Sequence, residues 1–246
     1  MRNAAQSGSD PSTTMSARPK TDPVPATLRD RAYQGLRDLL IAGQLAPGEK
    51  LSMRQLAAGL GVSPMPVREA VHRLVAERAL EVQPQSAVRV PLMTREHFLE
   101  LTRIRINLEG LATEVAASRI TPVQLAQVRR YHERFRNSAR GARPNPSVVI
   151  RSNQKLHFAI YRCAQMPTLL MMIETLWLRI GPVLILDLRS SPRRLHTLAA
   201  HECHEHLVAA LEQHDGAAAH RALARDIESA AEYILSLDRL PHADAG

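Results

Sequence analysis

Along most of this 246-residue chain, apolar residues recur at intervals of three and four, the period of a helix with one buried face. Between residues 28 and 43, Leu28, Ala32, Leu36, Leu39 and Leu40 share a side, and Gly43 ends the pattern. A shorter run follows Ser52, with Leu56, Ala57 and Leu60 on one face. Ser52 with Gln55 three residues on predicts a capping box at its start, and Gly61 predicts a left-handed stop. Ser63 caps a third helix with Pro64 at its first position, where a missing N–H costs nothing. There Val67, Ala70, Val71 and Leu74 face the core, leaving Arg68 and Arg73 on other faces. The stretch Glu81–Val90 then predicts two short strands around a polar turn. Helix, glycine turn, helix and a two-stranded wing make a winged helix-turn-helix over residues 25–92. An ordinary αα-hairpin would share the periodicity of its middle part.

What separates the two is the wording of the stretch. GQLAPGEKLSMRQLAAGLGVSPMPVREAVHRLVAERAL carries a PGEKL element, an LA..LGVS turn and a PVREA helix start. In these it resembles the N-terminal domain of the GntR family of bacterial transcription regulators, over about residues 28–90. The resemblance implies that Arg54 and Arg68 are the main DNA contacts, because a guanidinium grips guanine or phosphate bidentately. Ser63, Met65 and the wing-tip residue Ser86 are the further candidates. The chain departs from the family in two places. Pro64 and Met65 stand where the family has Arg-Thr, so one base-reading arginine is missing and Met65 offers only an apolar contact, such as to a thymine methyl. The wing tip is Ser86-Ala87 where the family has glycine. A different operator sequence is the expected consequence.

From Thr94 onward the pattern is purely helical. Helices are predicted from Thr94 to about 117, from Thr121-Pro122 to about 139, over 148–164, and from Pro167 towards Asp187 with a bend near Gly181-Pro182. A fifth begins at Ser191-Pro192, and a last one runs from Gly216 to about Leu237. Six antiparallel helices over residues 93–240 make a bundle, so the fold is mostly α.

Composition fits this picture. Hydrophobic residues are 45% of the chain and aromatics only 3%, the make-up of a helical core of Leu, Ala, Ile and Val. Arg179, Pro182 and Asp187 break the longest apolar run, so no transmembrane span is expected. Residues 1–24, polar and rich in Ser, Thr and Pro, predict a disordered leader on a cytoplasmic protein, with Met15 an alternative start. Cys163 and Cys203 predict buried free thiols. The net charge of +8 does not come from the winged part, where residues 25–92 hold nine Lys/Arg against six Asp/Glu. Residues 126–155 hold eight against one, which predicts a solvated basic face with an auxiliary contact to DNA backbone as the other reading.

The bundle has its own constellation. Asn153 and His157 are one turn apart on one face. His204 and Asp226 lie equally far before and after Asp215, the turn between the last two helices, so antiparallel packing brings them to one height. Four N/O donors from three helices suit a divalent ion such as zinc, nickel or manganese. A polar core, or solvated histidines in a chain with eleven of them, accounts for the pattern as well.

This half resembles the FCD ligand-binding bundle of the FadR subgroup, over about 94–238. Metal-binding members of that group carry an Asp and a His four apart, a second His before a run H.....AL...D, and a final His. His157 and His204 match; Asn153 stands for the family Asp and Asp226 for the final His, which puts metal affinity in question. Arg105 and Glu109 match an Arg-x-x-x-Glu, and the resemblance implies Arg105 as the contact for a carboxylate effector, although an i,i+4 salt bridge explains the spacing equally. Tyr161 and Trp177 read as core or dimer-interface residues. Together the two resemblances imply a homodimeric repressor on a pseudo-palindromic DNA operator, modulated by a small organic acid. An architectural DNA-binding protein and a metal-dependent enzyme are the other classes, the second lacking an obvious general base.

Overall fold

The computed structural model describes residues 27–83, 87–140, 144–190 and 198–243, the side chains of 186–190 and 198–200 excepted. The leader, Ser86 at the wing tip and the Ser191-Pro192 start lie outside the described residues. The N-terminal half runs α1 (Leu28–Ile41), β1 (Lys50–Leu51), α2 (Met53–Leu60), α3 (Pro64–Ala76), β2 (Glu81–Val82) and β3 (Val88–Arg89). The bundle follows as α4 (Arg95–Arg119), α5 (Pro122–Ala139), α6 (Pro146–Cys163), α7 (Pro167–Ser190), α8 (Leu198–Glu212) and α9 (Gly216–Ser236).

Local chemistry sets most helix ends. Thr27 and Asp30 form a capping box at α1, and Thr121 and Gln124 another at α5. The box expected at α2 is half made: Ser52 Oγ accepts from Gln55 N–H at 3.4 Å, without the return bond. Gly61 closes α2 at φ +64°, the left-handed conformation that glycine takes freely. Ser63 precedes α3 in extended conformation, but its hydroxyl makes no cap bond, contrary to expectation. Asp215 caps α9 through Ala218 N–H at 2.8 Å and so fixes the α8–α9 turn where the sequence places it.

The wing has one strand more than its sequence suggests. β3 pairs antiparallel with both β2 and β1, giving the order β1-β3-β2 with Lys50 opposite Arg89 and Leu51 opposite Val88. Two residues are too short for a period to register, and their partner is remote in the chain. Ala32, Leu36, Leu40, Val67, Ala70, Val71 and Leu74 are buried between α1 and α3.

α7 is the axis of the molecule, buried against α4, α6 and α9 and also touched by α1. Over Pro167–Ile185 it is long and apolar enough, by composition, to cross a membrane, which corrects the expectation that Arg179 and Pro182 interrupt every such run. Its apolar side chains, Ile173, Trp177, Leu178 and Ile180 among them, are instead buried in the protein core. At Gly181 the helix meets α1 so closely that a β-carbon would lie 2.5 Å from the Leu40 carbonyl oxygen. Beside this seam Arg37 pairs with Glu174 at 3.2 Å.

Candidate DNA-reading face and candidate metal centre

α2 and α3 present one outward face. Val67, Ala70, Val71 and Leu74 are held in the core, which turns Arg68 to solvent near the start of α3, and Arg54 is exposed on α2. Among the described residues neither Arg54 nor Arg68 forms an ion pair or a side-chain hydrogen bond. Met65 stands 63% exposed at the tip of α3, a large apolar side chain left for another surface. Ser63 is exposed beside it with its hydroxyl unspent on a cap. Arg73, the other arginine facing away from the α3 core, behaves differently: its guanidinium lies 3.7 Å from the Tyr33 ring centroid, and Tyr33 OH donates to Glu77. Arg73 therefore belongs to the α1–α3 packing.

The second site is buried. His157 Nε2 and His204 Nε2 are 3.2 Å apart, and each is 3.4 Å from a carboxylate oxygen of Asp226. The symmetry of His204 and Asp226 about Asp215 thus becomes a contact. Asn153, one turn before His157 on α6, is half-buried, and its amide makes no hydrogen bond among the described residues. Burial pushes His157 down to about 3; Asp226 opposes this, while His204 and Arg105 add to it. Burial would raise Asp226, but His204, His157 and Arg105 together hold it below the usual carboxylate range. At neutral pH the cluster thus offers an uncharged His157 imidazole, the ligand form, next to a carboxylate.

A chain of bonds holds the cluster from behind. His157 Nδ1 is 2.9 Å from Tyr161 OH, which donates to Glu109, which is gripped by Arg105 through Nε at 2.6 Å and Nη2 at 3.3 Å. Arg105 also lies 5.1 Å from the Trp177 ring centroid. The spacing His157-x-x-x-Tyr161 carries this link, yet the sequence reading leaves Tyr161 as core, because its second partner comes from another helix. Arg105 is therefore committed to Glu109 by the i,i+4 salt bridge through Nε and Nη2, and among the described residues its Nη1 makes no such bond. His132, buried and edge-on to His204, is a neighbour that no spacing marks. Burial, then the charges of His204 and Arg136, bring it down to about 4.

The donor set fits a divalent cation. The two imidazole nitrogens are 3.2 Å apart, close to the donor spacing of about 3.3 Å in tetrahedral zinc. His157 faces Asp226 Oδ2 and His204 faces Oδ1, so the carboxylate spans both, and one ligand atom from each residue lies within 4.8 Å of the others. Two imidazole nitrogens facing each other need either a shared proton or a cation between them. Tyr161 OH orients the His157 ring through Nδ1, whereas His204 Nδ1 is buried without a hydrogen-bond partner among the described residues. Cys163 and Cys203 are free thiols; Cys163 is buried as expected, whereas Cys203 is only half-buried.

Comparison with known proteins agrees with both halves. Residues 28–90 match the bacterial regulatory proteins of the gntR family, and residues 100–229 match the FCD domain. The chain is 38% identical over 147 residues to the HTH-type transcriptional regulator McbR of Escherichia coli, a stretch covering 60% of this chain and 66% of McbR. It thus spans just under two thirds of that relative. It is 30% identical over 196 residues, 78% of this chain and 84% of the relative, to a probable D-xylose utilization operon transcriptional repressor of Paenarthrobacter nicotinovorans. The solved structure of E. coli McbR/YncC superposes with a TM-score of 0.80 at 32% identity, covering 87% of this chain and 99% of that one. The two curated relatives are named as a transcriptional regulator and a transcriptional repressor. The chain belongs to the GntR family of DNA-binding transcriptional regulators, with an FCD domain as its helical bundle.

Proposed function

We propose that this protein is a cytoplasmic homodimeric repressor that binds a pseudo-palindromic operator through Arg54, Ser63, Met65 and Arg68, and answers to a small organic acid in its bundle. Two-fold symmetry and paired half-sites go together in readers of this shape. Two arginines left unpaired on the α2–α3 face support the reader. The observation that carries the effector half is the buried set of three donors, His157, His204 and Asp226, whose ligand atoms lie within 4.8 Å of one another. Asn153 is the candidate for a fourth, weaker donor; an amide oxygen there and the Asp226 carboxylate in place of an imidazole favour harder cations such as manganese over softer ones. A bound divalent cation would supply a positive centre able to take an effector carboxylate oxygen. Arg105 Nη1 would hold the same carboxylate from the side, while Glu109 and Tyr161 keep Arg105 and His157 in place. Effector binding must favour one placement of the two readers over another, since only differential affinity shifts a population.

Thermal-shift and calorimetric titration of the full chain with zinc, nickel or manganese, then with a panel of small carboxylic acids, tests this reading. The expected result is a metal-dependent rise in melting temperature that Asp226→Ala removes, and an acid that raises it further. If neither any metal nor any acid stabilises the protein, the effector site is refuted.

A further inference from the structure

A cavity of about 490 Å³ lies at the joint between the reader and the bundle. Val75 and Leu80 wall it from the reader, Met93 and Pro182 from the bundle. At its edge Val82 and Leu92 are each 53% exposed, an apolar lip without a cover. Two arginines line it. Arg78 follows α3 with φ +57°, and among the described residues its guanidinium has no ion-pair partner. Arg179, on α7, donates to His97 Nε2, and His97 Nδ1 bonds to Glu100 at 2.9 Å. Its acceptor is thus an imidazole and not a carboxylate. Among the described residues the only carboxylate in the wall of the cavity is Glu81, which is taken by Arg89.

Burial, and after it repulsion from Arg78, hold Arg179 below the usual guanidinium range against the pull of Glu100. The two cations therefore feel each other. Like charges converging over an apolar floor, with no free carboxylate of their own, are completed by an anion that carries a hydrocarbon body.

We propose that this joint binds an amphiphilic organic anion, a carboxylate clamped by Arg78 and Arg179 with its hydrocarbon part against Val75, Leu80, Leu92 and Met93. The site is distinct from the His157–His204–Asp226 cluster and needs no metal; only its consequence for DNA binding rests on the regulator reading. Its walls come from both halves, with the turn after α3 on one side and α7 on the other. A bound anion ties these together, and so favours one placement of the reader on the bundle.

Titration calorimetry of the full chain with sodium octanoate tests the site, with octanol and inorganic phosphate as arms that carry one feature each. Saturable octanoate binding is expected, with both arms much weaker. The double variant Arg78→Gln/Arg179→Gln should weaken it by about tenfold or more, the loss of charge-assisted bonds. Arg78→Gln alone, exposed and unpaired, should keep the fold and still weaken binding several-fold. Binding should persist in Asp226→Ala, which separates this site from the bundle core even if the metal reading fails. Absence of octanoate binding, binding that survives both arginine variants, or loss confined to Asp226→Ala would overturn the proposal. Phosphate bound as tightly as octanoate would overturn the amphiphilic class.

Discussion

The reader face and the bundle core handle the same kinds of charged residue in opposite ways. On α2 and α3, Arg54 and Arg68 are exposed and unpaired, and the core beneath them is apolar. In the bundle Arg105 is buried and bonded twice to Glu109, which is bonded to Tyr161, which is bonded to His157. A surface that must grip phosphate and base edges keeps its donors free, so its function can be removed without loss of fold. A buried site cannot do that, because each charged group there is also the counter-charge of another. Function and stability should therefore separate cleanly in the reader and be entangled in the bundle.

The largest expected effect lies in the entangled half. Arg105→Met leaves Glu109 buried without its counter-charge and should cost about 3–5 kcal/mol, read by urea denaturation. Combining it with Glu109→Leu should recover much of that loss. Equal losses for the single and the double variant would show that the pair is not what matters. In the reader, Arg68→Ala should cost about 1–3 kcal/mol per half-site in operator affinity and relax specificity at the base it contacts. Its unfolding free energy should stay within about 0.5 kcal/mol of the parent. Full retention of specificity in a binding titration would refute the role assigned to Arg68.

Between the two halves lies the α1–α7 seam. Gly181→Ala would set a methyl 2.5 Å from the Leu40 carbonyl oxygen and 2.7 Å from Ile41 Cα, both backbone atoms with little room to yield. The expected cost is about 1–3 kcal/mol of overpacking, felt as faster amide exchange at the end of α1 while the α8–α9 contact stays protected. Unchanged exchange in α1 would mean that the seam does not fix the reader on the bundle.

These contrasts also decide what the sequence could disclose. Signals contained in one turn of chain read clearly: Gly61 as a stop, Pro64 at a first helical position, Thr121-Pro122 as a start. Pairs across a single turn read almost as well, so Arg105 and Glu109 were visible, as were His204 and Asp226 through their equal distance from Asp215. Contacts set by helix–helix packing did not read. Tyr161 reaches Glu109 only because α6 lies along α4, and β1 exists only because β3 passes beside it. The run Pro167–Ile185 misled in another way: a helix buried on many sides must be apolar almost all round, and Arg179 at the domain joint does not alter that average.

The smallest effects give the finest comparison, because two serines open consecutive helices in the reader. Ser52 spends its hydroxyl on Gln55 N–H, whereas Ser63 makes no cap bond and remains exposed beside Met65. Ser52→Ala should therefore cost about 1 kcal/mol of stability, the ordinary value of a cap. Ser63→Ala should change stability by no more than about 0.5 kcal/mol, yet weaken operator binding to a similar degree on all sequences, as the loss of a phosphate contact does. Thermal unfolding and a salt-controlled binding titration on both variants decide it. A Ser63→Ala protein as destabilised as Ser52→Ala, with unchanged DNA affinity, would return Ser63 to the role of a cap and leave Met65 and the two arginines to read alone.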